Sequence, residues 1–314
     1  YMAGDPNAGI YIVGDNDDST VELKLSVAYF YQGMINAKDA NIQAGTYWQT
    51  NETDGQGSAN LVLDNSKLVV SVYDHPAKAT GNSTVTLTNG SVIDAKNGGF
   101  TYGDAVTLSV DATSKIIGKN GETVMIPVAK IGTTKYATLQ EAFKAATSGC
   151  TIDILSDVTV DYNWDARNTG GKFTVPVTIN GNGKTFTATG DGVGQIRLAN
   201  GALLTFNNVK VVDHSVSYAE NAWEYGYLEF GGVIRLQDCE VVNAIMVSGE
   251  TAAFKNCSFN SNKDNEYDVW VDNGSAYFTD CTFAGARGLK VHEAYGSEVV
   301  KVAVDGCTFG PLSK

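Results

Sequence analysis

The residue types best suited to chemistry gather in two stretches of this chain. The first, between His214 and Glu229, carries Tyr218, Glu220, Trp223, Glu224, Tyr225 and Tyr227. The second carries Asp264, Glu266, Tyr267, Asp268 and Trp270. Flat aromatic rings beside acids suit the stacking and hydrogen bonding of sugars, and they equally suit the anchors of a protein interface. Two carboxyl groups at a fixed separation, one protonated and one ionised, are also the machinery of glycoside cleavage. Asp213, Glu220, Glu224, Asp264 and Asp268 are the one local concentration of acids that could supply such a pair. The competing reading is packing: the aromatics fold back over the body of the protein, with Tyr267 and Trp270 flanking an ordinary strand.

The remaining reactive types are scattered. His75 precedes a proline in a turn, His214 follows a strand-like run, and His292 lies in one, so each reads as solvated or packed. Arg197 and Arg235 share the phrase Ile-Arg-Leu but fall at different points of their repeats and are not expected to stack. Asp15-Asn-Asp-Asp18 has part of a calcium loop's oxygen ligands but neither their spacing nor a terminal Glu, and it reads as a solvated turn. No cofactor is called for, and calcium is the only ion for which the sequence offers even a fragment of a site.

The elements that must position these residues announce themselves by repetition. Four phrases, Leu236-Gln-Asp-Cys-Glu-Val241, Phe254-Lys-Asn-Cys-Ser-Phe259, Phe278-Thr-Asp-Cys-Thr-Phe283 and Val304-Asp-Gly-Cys-Thr-Phe309, echo an earlier Phe206-Asn-Asn-Val-Lys-Val211 at steps of 30, 18, 24 and 26 residues. Such a period marks units that bury an apolar face only against their neighbours. Four of the five cysteines (Cys239, Cys257, Cys281, Cys307, with Cys150 apart) then share one place in successive repeats. Parallel side-chain vectors fit a disulfide dihedral poorly, so they are expected as free, buried thiols. Asp238, Asn256, Asp280 and Gly306, just before them, could be mistaken for a row of acids. They are also the types that tolerate left-handed backbone, and a turn ladder is expected.

Toward the N-terminus, Val21-Glu-Leu-Lys-Leu25 alternates, and Leu61-Val-Leu-Asp-Asn65, Val85-Thr-Leu-Thr-Asn89 and Val106-Thr-Leu-Ser-Val110 recur at steps of 24 and 21. One segment breaks the pattern. Thr138-Leu-Gln-Glu141 is a capping box, followed by Leu139, Ala142, Phe143 and Ala146 on one face and Gly149 as a stop. The expectation is therefore an all-β solenoid with one short helix near 138–147. It divides into an N-terminal solenoid-like region at 1–128 and a second region at 129–314, either separate from the first or continuous with it.

Tyr136 to Ala146, then Thr151-Ile-Asp-Ile-Leu-Ser-Asp-Val158 and Thr178-Ile-Asn-Gly-Asn-Gly183, together with the Asn-Cys-Ser-Phe and Asp-Cys-Thr-Phe phrases, resemble right-handed parallel β-helix proteins of the pectin-lyase-like superfamily. Within it they resemble bacterial cell-surface, adhesin-type repeat proteins more than the enzymes. The resemblance implies a fold and leaves activity open, since lyases, hydrolases, adhesins and stalks share it. The hydrolase phrases of that superfamily, Gly-His-Gly and Arg-Ile-Lys, are absent, and the only Asp-Asp pair is Asp17-Asp18.

Composition narrows the classes further. A net charge of −13 with 18% charged residues argues against nucleic acid or an anionic membrane as partner. No apolar run is long enough to span a bilayer. A chain that opens on Tyr1 and closes after a strand phrase reads as a segment of a longer exported protein, and the resemblance implies that it is extracellular or on a bacterial surface. The functional expectation is a non-enzymatic binding module for a glycan or a host surface protein. A polysaccharide lyase or glycoside hydrolase and a passive stalk are the alternatives.

Overall fold

A computed structural model describes residues 9–14, 21–30, 33–50, 59–111, 113–161, 175–190, 195–197, 203–215, 228–247, 250–261, 267–272, 274–285, 287–291 and 300–310. The protein is nearly all β, and its strands pair in parallel almost throughout. It divides into two compact units, unit 1 at Tyr1–Ile126 and unit 2 at Pro127–Lys314. Each unit has its own hydrophobic core.

In unit 2 the chain lays strands in turn into three sheets, of nine, seven and five strands. The Cys-bearing phrases explain the register. Phe206, Leu236, Phe254, Phe278 and Val304 align across neighbouring strands of the nine-stranded sheet. Val211, Val241, Phe259, Phe283 and Phe309 do the same in the seven-stranded sheet. Alternation buries all of these residues but Val304 and Phe309, which are exposed on the last strand of each sheet, and the rings stack: Phe254 on Phe278 at 4.8 Å, Phe259 on Phe283 at 5.1 Å, Phe283 on Phe309 at 4.6 Å. This arrangement, one strand per sheet per repeat, is compatible with a β-helix or solenoid.

Between the two columns runs the thiol row. All five cysteines are free, and Cys239, Cys257 and Cys281 are buried. Each of these three thiols points at a carbonyl two residues back, such as Cys257 Sγ to Lys255 O at 3.3 Å. Hydrogen bonding to Cys239 and then Cys281, reinforced by burial, raises the Cys257 thiol far above its usual range, so it stays protonated. The residues before the cysteines form the expected ladder: Asp238, Asn256, Asp280 and Gly306 all have positive φ, 54°, 52°, 53° and 62°. Asn256 Nδ2 donates to Asp238 Oδ1 at 2.6 Å, so the row is a turn device in which neighbours satisfy one another.

The helix spans Leu139–Ala145, with Thr138 as N-cap and both halves of the capping box made. It stops at Ala146, three residues before the glycine the sequence nominated, and Gly149 (φ 75°) instead makes the turn into strand Cys150–Ile154. Ahead of the helix stands a feature the sequence did not suggest. Strand Ala129–Ile131 pairs antiparallel with both Thr134–Tyr136 and Cys150–Ile154, so the nine-stranded sheet opens on a hairpin.

Unit 1 is built from a five-stranded and a seven-stranded sheet. The three alternating phrases fall in strands Ala59–Asp64, Thr84–Thr88 and Thr107–Val110, neighbours in the first. The ten-residue strand Ala40–Gln49 organises the second: its start pairs with Lys67–Val70 and its end with Ala77–Ala79. The inward phase slips between, from Ala40, Ile42 and Ala44 to Tyr47 and Gln49. Gly45 sits at the slip because a Cβ there would lie 2.4 Å from the Ser26 carbonyl oxygen. Gln49, fully buried, is satisfied by donating to Ala59 O (2.5 Å) and Thr84 O (2.7 Å) and accepting from Tyr47 Oη (3.0 Å).

Candidate functional site

Of the eight ring-and-acid candidates, Tyr267 and Trp270 fall among the described residues. Tyr218, Glu220, Trp223, Glu224, Tyr225 and Tyr227 lie outside them, as do Asp264, Glu266 and His292. Tyr267 and Trp270 stand on a strand, Tyr267–Val271, and not on a loop. The sequence here, Tyr-Asp-Val-Trp-Val, sends Asp268, Val269 and Val271 into the core and leaves Trp270 half-buried on the outer face.

Register then decides the neighbours. Trp270 lies beside Met246 on one side and Lys290 on the other, and Tyr267 lies beside Arg287. Lys290 Nζ sits 3.6 Å from the Trp270 ring centroid and 5.7 Å from that of Tyr267. Arg287 Cζ is 5.6 Å from the Tyr267 centroid. Two rings thus carry two cations on a rigid strand pair. Such contacts contribute roughly 0.5–1 kcal/mol each at an exposed site. One chemical consequence follows directly: one face of the Trp270 ring is occupied by the Lys290 ammonium.

The acids behave differently. Asp268 is fully buried, and its two oxygens accept the backbone N–H groups of Ser261 (2.6 Å) and Gly285 (3.0 Å). Burial raises its carboxyl above the usual aspartate range against the pull of those bonds. Asp213, also buried, accepts the Leu228 N–H at 2.7 Å, while its own carbonyl accepts Asn243 Nδ2 at 2.5 Å. Both carboxylates close corners leading into or out of strands of the five-stranded sheet. The sequence had grouped both with the acids that could form a catalytic pair; here each carboxylate is bound to backbone donors.

Arg235 is exposed on the nine-stranded sheet, whereas Arg197 is on a strand of the five-stranded sheet, so the two Ile-Arg-Leu phrases do not stack. His75 is exposed in its turn. Among the described residues, no group of three or more His, Cys, Asp or Glu could hold a metal ion, and no helix is long and apolar enough to cross a membrane.

Sequence reasoning passed over Tyr277. It is 44% exposed, and its register neighbours are Ala253 and Ala303, with Arg235 two strands away in the same row. The signal was present in Ser275-Ala-Tyr-Phe-Thr279, where the tyrosine occupies the polar phase of the alternation. No family model, no curated protein and no solved structure matches the chain.

Proposed function

We propose that the chain is a non-enzymatic binding module of a bacterial cell-surface or secreted protein. Its scaffold is read as a right-handed parallel β-helix of the pectin-lyase-like kind, and its ligand as a glycan or a host surface protein. The observation that carries this reading is the outward pair Tyr267 and Trp270 with Arg287 and Lys290 over their rings. Aromatic and arginine side chains held on a rigid element are the types that anchor recognition. Strand Leu228–Gly231, which directly follows the Tyr218–Tyr227 segment in the chain, belongs to the same five-stranded sheet as this pair. The inward commitment of Asp213 and Asp268 to backbone donors also favours binding over hydrolysis, since an acid–base pair must meet substrate and water.

The test is binding of the whole chain to glycan and host-protein arrays, followed by Trp270→Ala and Lys290→Ala, with Trp223→Ala and Tyr225→Ala as a second set. Loss of at least about tenfold in affinity, equivalent to ~1.4 kcal/mol, is expected from the Trp270→Ala change. Unchanged binding in both sets would discard these residues as the site. Turnover on a polysaccharide panel would discard the non-enzymatic reading.

A further inference from the structure

The outer face of the nine-stranded sheet carries one large ring on a regular grid. Strands Val233–Gln237, Thr251–Lys255, Ser275–Thr279 and Lys301–Asp305 pair parallel and in register, and each turns its first, third and fifth residues outward. Outward residues are then roughly 4.8 Å apart between strands and roughly 6.6 Å apart along one strand. Tyr277 stands exposed within this grid, in a row that runs Arg235, Ala253, Tyr277, Ala303. An alanine side chain ends at Cβ, so the phenol ring rises above both of its register neighbours.

Charge on this grid runs against that of the chain. Lys255 is the register partner of Thr279 and Lys301 that of Ser275, the residues two places to either side of Tyr277. The two lysines therefore start from opposite diagonals of the ring, each roughly 8 Å away along the backbone grid, and Arg235 starts roughly 9.6 Å away along the row. All three cations are exposed, and Asp305 is the one acid on the grid. Asp238, at the corner beyond, attracts Lys255 but is itself held by hydrogen bonds from Asn256 (2.6 Å) and Gln237 (3.2 Å). Three cations against one acid, in a chain of net charge −13, make this face complementary to an anion.

The kind of anion follows from the rest of the face. The strands that carry Arg235, Lys255 and Tyr277 are each paired on both edges, so an extended peptide finds side chains here and no backbone to join. The core of a protein interface is depleted of charge, whereas this single ring has lysines at its corners. A pyranose bearing a carboxylate meets both features: its C–H face covers the ring, and its edge brings the charge to a cation. We propose that the Tyr277 face of the nine-stranded sheet binds an acidic saccharide. One hexuronate ring stacks on Tyr277 with its carboxylate at Lys255 or Lys301, and the saccharide continues along the row toward Arg235. The site does not rest on the function proposed for Tyr267 and Trp270, which stand on the five-stranded sheet.

The probe is hyaluronan hexasaccharide, which alternates glucuronate with a neutral sugar, titrated calorimetrically into the whole chain beside uncharged cellohexaose. Hyaluronan should bind at least about tenfold more tightly than cellohexaose, and its affinity should fall as salt screens the exposed cations. Tyr277→Ala should weaken it by at least about tenfold, while Tyr277→Phe, which keeps the ring, should bind as the parent does. Lys255→Gln and Lys301→Gln should each weaken it about two- to fivefold and flatten its salt dependence. If Tyr277→Ala does not fold, the two lysine variants carry the test. Trp270→Ala should leave hyaluronan binding unchanged; a loss there with none in Tyr277→Ala would put the saccharide on the five-stranded sheet, overturning this proposal and supporting the earlier one. Absence of hyaluronan binding, equal binding of cellohexaose, or full affinity in the Tyr277→Ala and lysine variants would also overturn it. So would an acidic protein that binds through Tyr277 when the saccharide does not.

Discussion

Asp268 lies on the same short strand as Tyr267 and Trp270, yet it serves the fold. Its raised carboxyl pKa fixes the sign of a pH effect. The folded protein holds the proton more tightly than the unfolded chain, so this residue's favourable contribution is complete below about pH 3.9 and declines as pH rises through the folded value. Urea unfolding across that window should show this slope, and Asp268→Asn should remove it. The same variant should cost about 1–3 kcal/mol near neutrality, because the new amide group faces one of the two backbone N–H donors. Gly285→Ala should destabilise by a comparable ~1–3 kcal/mol. Its Cβ would fall 2.1 Å from Asp268 Oδ1 and 2.6 Å from Ser261 Oγ, and a carboxylate held by two N–H groups cannot swing aside. None of this was legible in the sequence. An aspartate that closes a corner and one that faces substrate are the same letter, and only the backbone around Ser261 and Gly285 tells them apart.

At the scale of elements, stacking and capping can be ranked. Phe278 lies face to face with Phe254 at 4.8 Å and edge-on to Phe259 and Phe283. Phe278→Ala should therefore cost about 3–5 kcal/mol in denaturant unfolding. Thr138→Ala removes one half of the capping box of a seven-residue helix and should cost only about 1 kcal/mol. Both features could be read in advance, since an apolar-x-x-Cys-x-apolar phrase recurs every 18 to 26 residues and Thr-x-x-Glu names its own geometry. The slip at Gly45 and the hairpin at Ala129–Tyr136 could not. The first depends on a carbonyl 19 residues earlier, and the second on pairing across the helix to Cys150–Ile154. The couple of Trp270 and Lys290, 20 residues apart, likewise exists only because two strands lie in register.

At the scale of the molecule, two units with separate cores should be separable. Residues 1–126 and 127–314, expressed apart, should each give a β-type circular dichroism spectrum and a cooperative melt; a fragment that remains unstructured would show that its core needs the other unit. In unit 2, where strands contact chiefly their immediate neighbours in each sheet, stability should approximate a sum over strands and interfaces. The in-register parallel pairing has a consequence for how such a chain can vary. Each strand advances the sheet by roughly 4.8 Å, so gaining or losing one repeat upstream would carry Trp270 and Lys290 along by one step while leaving their contact intact. The unit is in effect a graduated ruler, on which the reach of a surface feature can be changed in fixed increments without redesigning the feature itself.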